Sequence, residues 1–153
     1  MTLYINACVR RNSRTKELAR FVLSKSGGAD IQEVNLQKER IMPLDQETLS
    51  HRDECAASGN FSDEVFSYAR QFAQADQIVI AAPYWDLLFP ASIRAYFERV
   101  CAVGVTFAYT EKFCIISLCS KLHQIFLRSH KQSSLFLAHQ LQSHKLTAFQ
   151  VAT

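Results

Sequence analysis

The chain has no run of apolar residues near the ~20 that a bilayer crossing needs, so no membrane-spanning helix is expected. Its start, MTLYINACV, has no basic residue ahead of the apolar ones and no long apolar core, which argues against a secretory signal. Five cysteines, at 8, 55, 101, 114 and 119, form no CxxC pair. An odd number without metal-ligand spacing predicts reduced thiols and a cytoplasmic location, and no metal set is assigned. There is no GxGxxG and no GK[ST], so neither the dinucleotide fingerprint nor a P-loop is present. No internal repeat or low-complexity linker interrupts the chain. Two further absences are local: no glycine follows Gly104, and no aspartate or glutamate follows Glu111.

What is there reads as one globular domain. The 153 residues are 48% hydrophobic and 20% charged, enough to build and solubilise a core. Thr2 to Ala7 is a short apolar, β-rich run, and predicts a buried strand. Ser13 can cap a helix over Arg14 to Ser26, with Leu18, Phe21 and Val22 on one face. Gly27 and Gly28 supply its end. Ile31 to Leu36 alternates like a second strand. Lys38 to Gly59 is polar, holds Pro43 and is longer than an ordinary connection, so it is expected to be functional or partly helical. Ser62 heads a second helix bearing Val65, Phe66, Ala69 and Phe72. Ile78 to Ala82 is continuously apolar, as a strand buried on both faces would be. Pro90 falls in the first turn of a third helix, lined by Ile93, Tyr96, Phe97 and Val100. Alternation of strand and helix predicts an α/β fold with a central parallel sheet between helical layers.

In such sheets ligands sit beyond the C-terminal strand ends, at a switch in strand order. Two loops leave strands there. The first, within NACVRRNSRTKEL, carries Arg10, Arg11 and Arg14 with Ser13 and Thr15 at a helix entry. Free N–H groups and the helix dipole favour an anion at that point, and a terminal monophosphate fits better than a pyrophosphate. An ordinary N-cap with solvated arginines would leave the same pattern. The second loop, AAPYWDLLFP, holds Tyr84, the single tryptophan Trp85, Asp86, Leu87, Leu88 and Phe89. It suits a flat heteroaromatic ligand, or else packing into the core or a dimer interface. Taken together, a phosphate loop after the first strand and an aromatic loop after the third describe a flavin mononucleotide (FMN) site.

The segments NACVRRNSRTKEL, ADQIVIAAPYWDLLFPASIRAYFERV and GVTFAYTE resemble the flavodoxin-like NAD(P)H:quinone oxidoreductase and FMN-dependent NADH-azoreductase family, from about Leu3 to Glu111. The resemblance implies a flavodoxin-like three-layer fold and a homodimer. It implies FMN, NADH or NADPH as electron donor, and a small-molecule quinone or azo acceptor reduced by two electrons. It assigns Ser13, Arg14 and Thr15 to the FMN phosphate, beside which Arg10 is a further candidate from the charge of the loop itself, and Pro83, Tyr84, Trp85, Asp86 and Leu87 to the flavin ring. Asp86 stands where many members carry asparagine, so its contact falls to backbone. No side chain is assigned as a catalytic acid or base, because the flavin carries the redox chemistry.

The likeness ends after Glu111. Phe113 to Cys119 can form the next strand, but the family's Gly-Gly flavin turn has no counterpart. The tail carries Lys112, Lys121, Arg128, Lys131 and Lys145 against no acid, whereas residues 1–111 hold 12 basic against 14 acidic residues. Four of the five histidines lie in it, of which His139 and His144 are too far apart for a helical chelate. The tail reads as a basic amphipathic helix, as helical filler, or as the product of a frame shift. Residues 1–111 are thus expected to form the FMN-binding core, with 112–153 an incomplete or remade strand and helical tail of the same domain. No nucleic-acid partner is assigned. The alternative to a working oxidoreductase is a flavodoxin-like binding module or truncated remnant with little turnover.

Overall fold

The computed structural model describes residues 1–25, 30–85, 88–109, 115–117 and 123–127. Strand β1 (Thr2–Asn6) is the hub of the sheet. It pairs in parallel with β2 (Ile31–Asn35) on one side and β3 (Gln77–Ala81) on the other. A later strand, β6 (His123–Leu127), runs parallel to β3, which gives the spatial order β2-β1-β3-β6. The chain therefore leaves β1 toward β2 and returns to its opposite side at β3, which places the switch in strand order between β1 and β3.

Both faces of the central strands are covered, which is why their sequences are apolar without interruption. On one face Leu3, Ile5, Ile78 and Ile80 pack with Phe72 of α4 (Ser67–Gln74) and with Ile93, Tyr96 and Val100 of α5 (Ala91–Val100). On the other face Tyr4, Val79 and Ala81 meet Ala19 and Leu23 of α1 (Arg14–Lys25). The expected α/β three-layer arrangement is the one observed.

The polar stretch after β2 is partly helical, as expected. Asn35 caps the short α2 (Leu36–Glu39), accepting from the N–H groups of Gln37 and Lys38, and the helix stops at Arg40 in a left-handed conformation (φ 49°). Asp45 caps α3 (Gln46–Ala57), accepting from Thr48 N at 2.8 Å. This helix buries only Cys55 fully, so its sequence carries almost no apolar periodicity. A 3₁₀ turn at Glu64–Phe66 then leads into α4.

Several boundaries differ from the sequence reading. The buried stripe of α1 is Thr15, Ala19 and Leu23, flanked by Leu18 and Val22; Phe21 is 61% exposed and stacks under the Lys25 ammonium. With the buried stripe on Thr15, Ala19 and Leu23, Phe21 falls on the opposite side of the helix and turns outward. Asp63, not Ser62, heads the next helical segment, its carboxylate accepting from Val65 N at 3.0 Å. Pro90 is the N-cap of α5 and lies just outside its first turn. The largest difference concerns Phe113 to Cys119. Residues Ile115–Ser117 (β5) pair antiparallel with β4 (Phe107–Tyr109) in a separate two-stranded ribbon, and β6 takes the place beside β3. A short reversal can join only antiparallel partners, whereas a parallel neighbour of β3 needs a crossover; α5 and the ribbon supply it. Gly27, Gly28 and the tail from Arg128, with His130, His139 and His144, lie outside the described residues.

Candidate functional site at the strand ends

The two loops singled out in the sequence leave neighbouring strands at the same end, since Asn6 stands opposite Ala81. The pairing continues past the strands. Ala7 N donates to Ala81 O at 2.9 Å, and the Cys8 thiol lies 3.6 Å from the same carbonyl. Asn6 is buried, with 1% of its surface exposed. Its amide nitrogen donates to Glu33 Oε1 at 2.8 Å and its oxygen accepts from Cys8 N at 3.0 Å. That side chain turns the backbone at the strand end, as asparagine does in a local side-chain turn. Asn6 and Cys8 are positioning residues that the sequence reading passed over; an asparagine closing an apolar strand was the available signal.

Beyond this anchor the chain rises into α1. Ser13 is its N-cap: Oγ accepts from Lys16 N at 3.3 Å and its carbonyl accepts from Glu17 N at 3.1 Å. A hydroxyl that accepts in this way can still donate its proton to an anion. Arg10, Arg11 and Arg14 are exposed around the entry, Ser13 is half-buried, and Thr15 is buried at the first turn. Burial pushes the Cys8 thiol up, against the pull of the Ser13 hydroxyl and of Lys16. The sulfur therefore keeps its proton and sets no negative charge beside the helix entry.

The loop after β3 has a different construction. Trp85 N donates to Leu88 O at 2.9 Å and Leu88 N to Trp85 O at 2.8 Å, an antiparallel bridge that ties the two residues together. Tyr84 and Phe89 face each other edge-on with ring centroids 5.3 Å apart. This frame presents apolar surface outward: Trp85 is 41% exposed, Leu88 64% and Phe89 40%. The described large side chains Trp85, Leu88 and Phe89 are thus not part of the core and are open to a flat ligand or to a second protein surface. Pro83 and Tyr84 are half-buried, and Asp86 and Leu87 lie outside the described residues.

The third segment, Val103 to Tyr109, is fixed by Thr106, whose hydroxyl donates to Val100 O at 2.8 Å and accepts from Ala102 N at 3.1 Å. Gly104 has a φ of 84°, and a Cβ there would meet the Phe61 ring at 2.7 Å, so this position takes glycine alone.

The family model for the flavodoxin-like fold matches residues 1–148. An FMN-dependent NADH:quinone oxidoreductase of Coprothermobacter proteolyticus is 37% identical over 119 residues, covering 71% of this chain and 57% of the relative. FMN-dependent NADH:quinone oxidoreductase 2 of Clostridium acetobutylicum is 43% identical over 79 residues, covering 52% of this chain and 39% of the relative. The chain thus spans roughly two fifths to three fifths of the length of these two relatives. Among solved structures, an azoreductase from Bacillus anthracis superposes with a TM-score of 0.71 at 21% identity, over 83% of this chain and 67% of that one. With its parallel β2-β1-β3-β6 sheet, its switch between β1 and β3 and the model match along nearly its whole length, the chain belongs to the flavodoxin-like fold family.

Proposed function

We propose that this chain holds FMN at the β1/β3 strand ends and serves as an NAD(P)H oxidoreductase that reduces quinones or azo compounds by two-electron transfer. The observation that carries the reading is the juxtaposition just described. A capped helix entry ringed by arginines and an outward-facing aromatic loop leave adjacent parallel strands at the switch point. The donor set suits the ligand: cationic and N–H donors for a phosphate, an apolar face for a ring system. The names of the similar proteins from Coprothermobacter and Clostridium support FMN and NADH.

Bound FMN would supply the hydride chemistry between nicotinamide and acceptor. The chain's own residues bind and orient. Ser13, Thr15 and the backbone N–H groups of residues 10–15 hold the phosphate, with Arg10 and Arg14 neutralising it. Pro83, Tyr84, Trp85, Asp86 and Leu87 would hold the ring, the exposed Trp85 indole offering it an apolar face. No side chain needs to act as an acid or base. A homodimer fits the exposed Trp85, Leu88 and Phe89, since grouped apolar side chains of this size are usually covered, and a cytoplasmic location fits cysteines without disulfide or metal spacing. That β6 extends the sheet of the core supports reading 112–153 as part of the same domain as 1–111.

A second reading, a flavin-holding module with little turnover, is favoured by one feature: no glycine follows Gly104, so the Gly-Gly flavin turn expected from the resemblance has no counterpart. One titration separates the possibilities. FMN added to the protein is expected to quench Trp85, the single tryptophan. Ser13→Ala combined with Thr15→Ala is expected to weaken binding, each charge-assisted hydrogen bond contributing ~1.5–3 kcal/mol. Unchanged affinity in the double variant removes the phosphate assignment. Saturation without a change in Trp85 emission removes the ring assignment. NADH oxidation with a quinone by the loaded protein then distinguishes the oxidoreductase from the module.

A further inference from the structure

Away from the strand ends, three side chains of metal-ligating type converge. His51 and Cys55 stand one turn apart on α3, so they share a helix face. Asp63, which heads the 3₁₀ turn, reaches the same point from across the intervening loop. His51 Nε2 lies 3.1 Å from Asp63 Oδ1, and Cys55 Sγ lies 3.7 Å from His51 Nε2. The donor atoms of the three residues all fall within 4.8 Å of one another. Metal–ligand bonds of ~2.0–2.3 Å at a tetrahedral angle put donor atoms about 3.3–3.6 Å apart, so the two close pairs already stand within a few tenths of an ångström of that spacing.

We propose that His51, Cys55 and Asp63 form a site for a divalent metal ion of the zinc class. Sulfur, imidazole nitrogen and carboxylate oxygen together are a borderline-soft set, which suits Zn²⁺ better than Mg²⁺ or Ca²⁺. Thiolate and carboxylate balance the two positive charges. Three protein ligands leave one coordination position, which a water can fill because the His51 side chain is 53% exposed. On binding, the Cys55 S–H bond is lost to solvent as a proton and an S–metal bond forms in its place.

The surroundings are built for this. Asp63 Oδ1 also accepts from Val65 N at 3.0 Å, which orients the carboxylate. The Arg70 guanidinium donates to the carbonyls of Phe61 and Asp63, fixing the backbone that carries the ligand. Cys55 is buried, its own carbonyl held by the Ser58 hydroxyl at 3.0 Å. Asp63 and Glu54 both act on the sulfur, so the local field favours a cation. A triad of nucleophilic thiol, base and orienting acid does not describe the geometry. Cys55 Sγ is nearly equidistant from the two ring nitrogens, at 3.7 and 3.9 Å, and Asp63 engages the nitrogen nearer the sulfur. The metal would tie α3 to the 3₁₀ turn and so close the Ala57–Ser62 connection.

The test is a cobalt titration of the reduced, chelator-treated full chain. Co²⁺ is expected to give thiolate-to-metal absorbance in the near ultraviolet that saturates at one equivalent. Zn²⁺ should bleach that absorbance and raise Tm. His51→Gln and Cys55→Ser are each expected to weaken binding on the order of tenfold or more, and Cys101→Ser to leave it unchanged. Should Cys55→Ser fail to fold, His51→Gln decides, since that side chain is half in solvent. No thiolate band at millimolar Co²⁺, or a band that persists unchanged in His51→Gln, would overturn the site and leave a plain histidine–aspartate pair beside a thiol.

Discussion

The sheet and the helical flank beside it solve the same problem with different means. Around β1 and β3 order comes from apolar burial on two faces: Leu3, Ile5, Ile78, Ile80 and Tyr96 have no exposed surface. Polar side chains there serve mainly to steer the chain at the strand ends, as Asn6 does. In the flank formed by α3, the 3₁₀ turn and residues 101–106, the core is small: Cys55, Phe66, Ala69 and Ala102. Named hydrogen bonds do the rest, from Asp45, Asp63, Arg70 and Thr106. The lesson is that a well-buried frame can leave its loops free to expose arginines and aromatic rings, whereas a thin core needs each polar contact for its own shape.

Truncations and pH should separate the two regions. The largest effect is expected in the sheet. Ile80→Ala removes a side chain with no exposed surface and is expected to cost about 2–5 kcal/mol, read as a lower denaturant midpoint. A loss below about 1 kcal/mol would mean that the frame is not what carries stability. In the flank, Gly104→Ala forces a side chain into a φ of 84° and against the Phe61 ring, with an expected loss of about 1–3 kcal/mol. Should that variant match the parent in thermal melting, the flank is looser than its geometry implies. Asp45→Ala takes the cap from α3 and is expected to lower stability by about 1 kcal/mol; Asp45→Asn should recover most of it. Equal losses in the two variants would instead point to charge rather than capping.

The smallest effect is expected from acid. Asp45 is held below the usual carboxylate range by the hydroxyl and N–H of Thr48, and Asp63 chiefly by the Val65 N–H, helped by His51. A carboxylate with a folded pKa below its unfolded value stabilises the fold above the unfolded pKa and loses that contribution as pH falls through the folded one. Stability is therefore expected to hold down to about pH 4 and then to fall modestly, with a gentler fall in the Asp63→Asn variant. A pH profile that is the same in parent and variant would remove Asp63 from the account.

Much of the frame was legible in the sequence because buried parallel strands write themselves as apolar runs. Thr2 to Ala7 and Ile78 to Ala82 read as strands on that ground, and the observed strands Thr2–Asn6 and Gln77–Ala81 lie within one residue of them. The helix entry at Ser13 and the aromatic loop from Pro83 were legible for the same local reason, since caps and prolines act on their own neighbours. What the sequence left open depended on contacts between distant residues. Phe21 points outward because α1 offers the sheet only a narrow stripe. Residues 115–117 join a ribbon, and β6 joins the sheet, because strand partners are chosen by where the crossover delivers the chain. His51, Cys55 and Asp63 gave at most the signal of an i, i+4 pair on α3. Their meeting is decided by the turn at residues 58–62, held by the Arg70 bonds to Phe61 and Asp63.

The sequence by itself thus determined the layered α/β architecture and which side chains stand in the two loops at its strand ends, because periodicity, capping and chain reversal are local properties of consecutive residues. The tertiary structure alone decided which loops stand side by side, which aromatic rings face outward, and which three ligating side chains converge. Those outcomes depend on strand order and on packing between segments far apart in the chain.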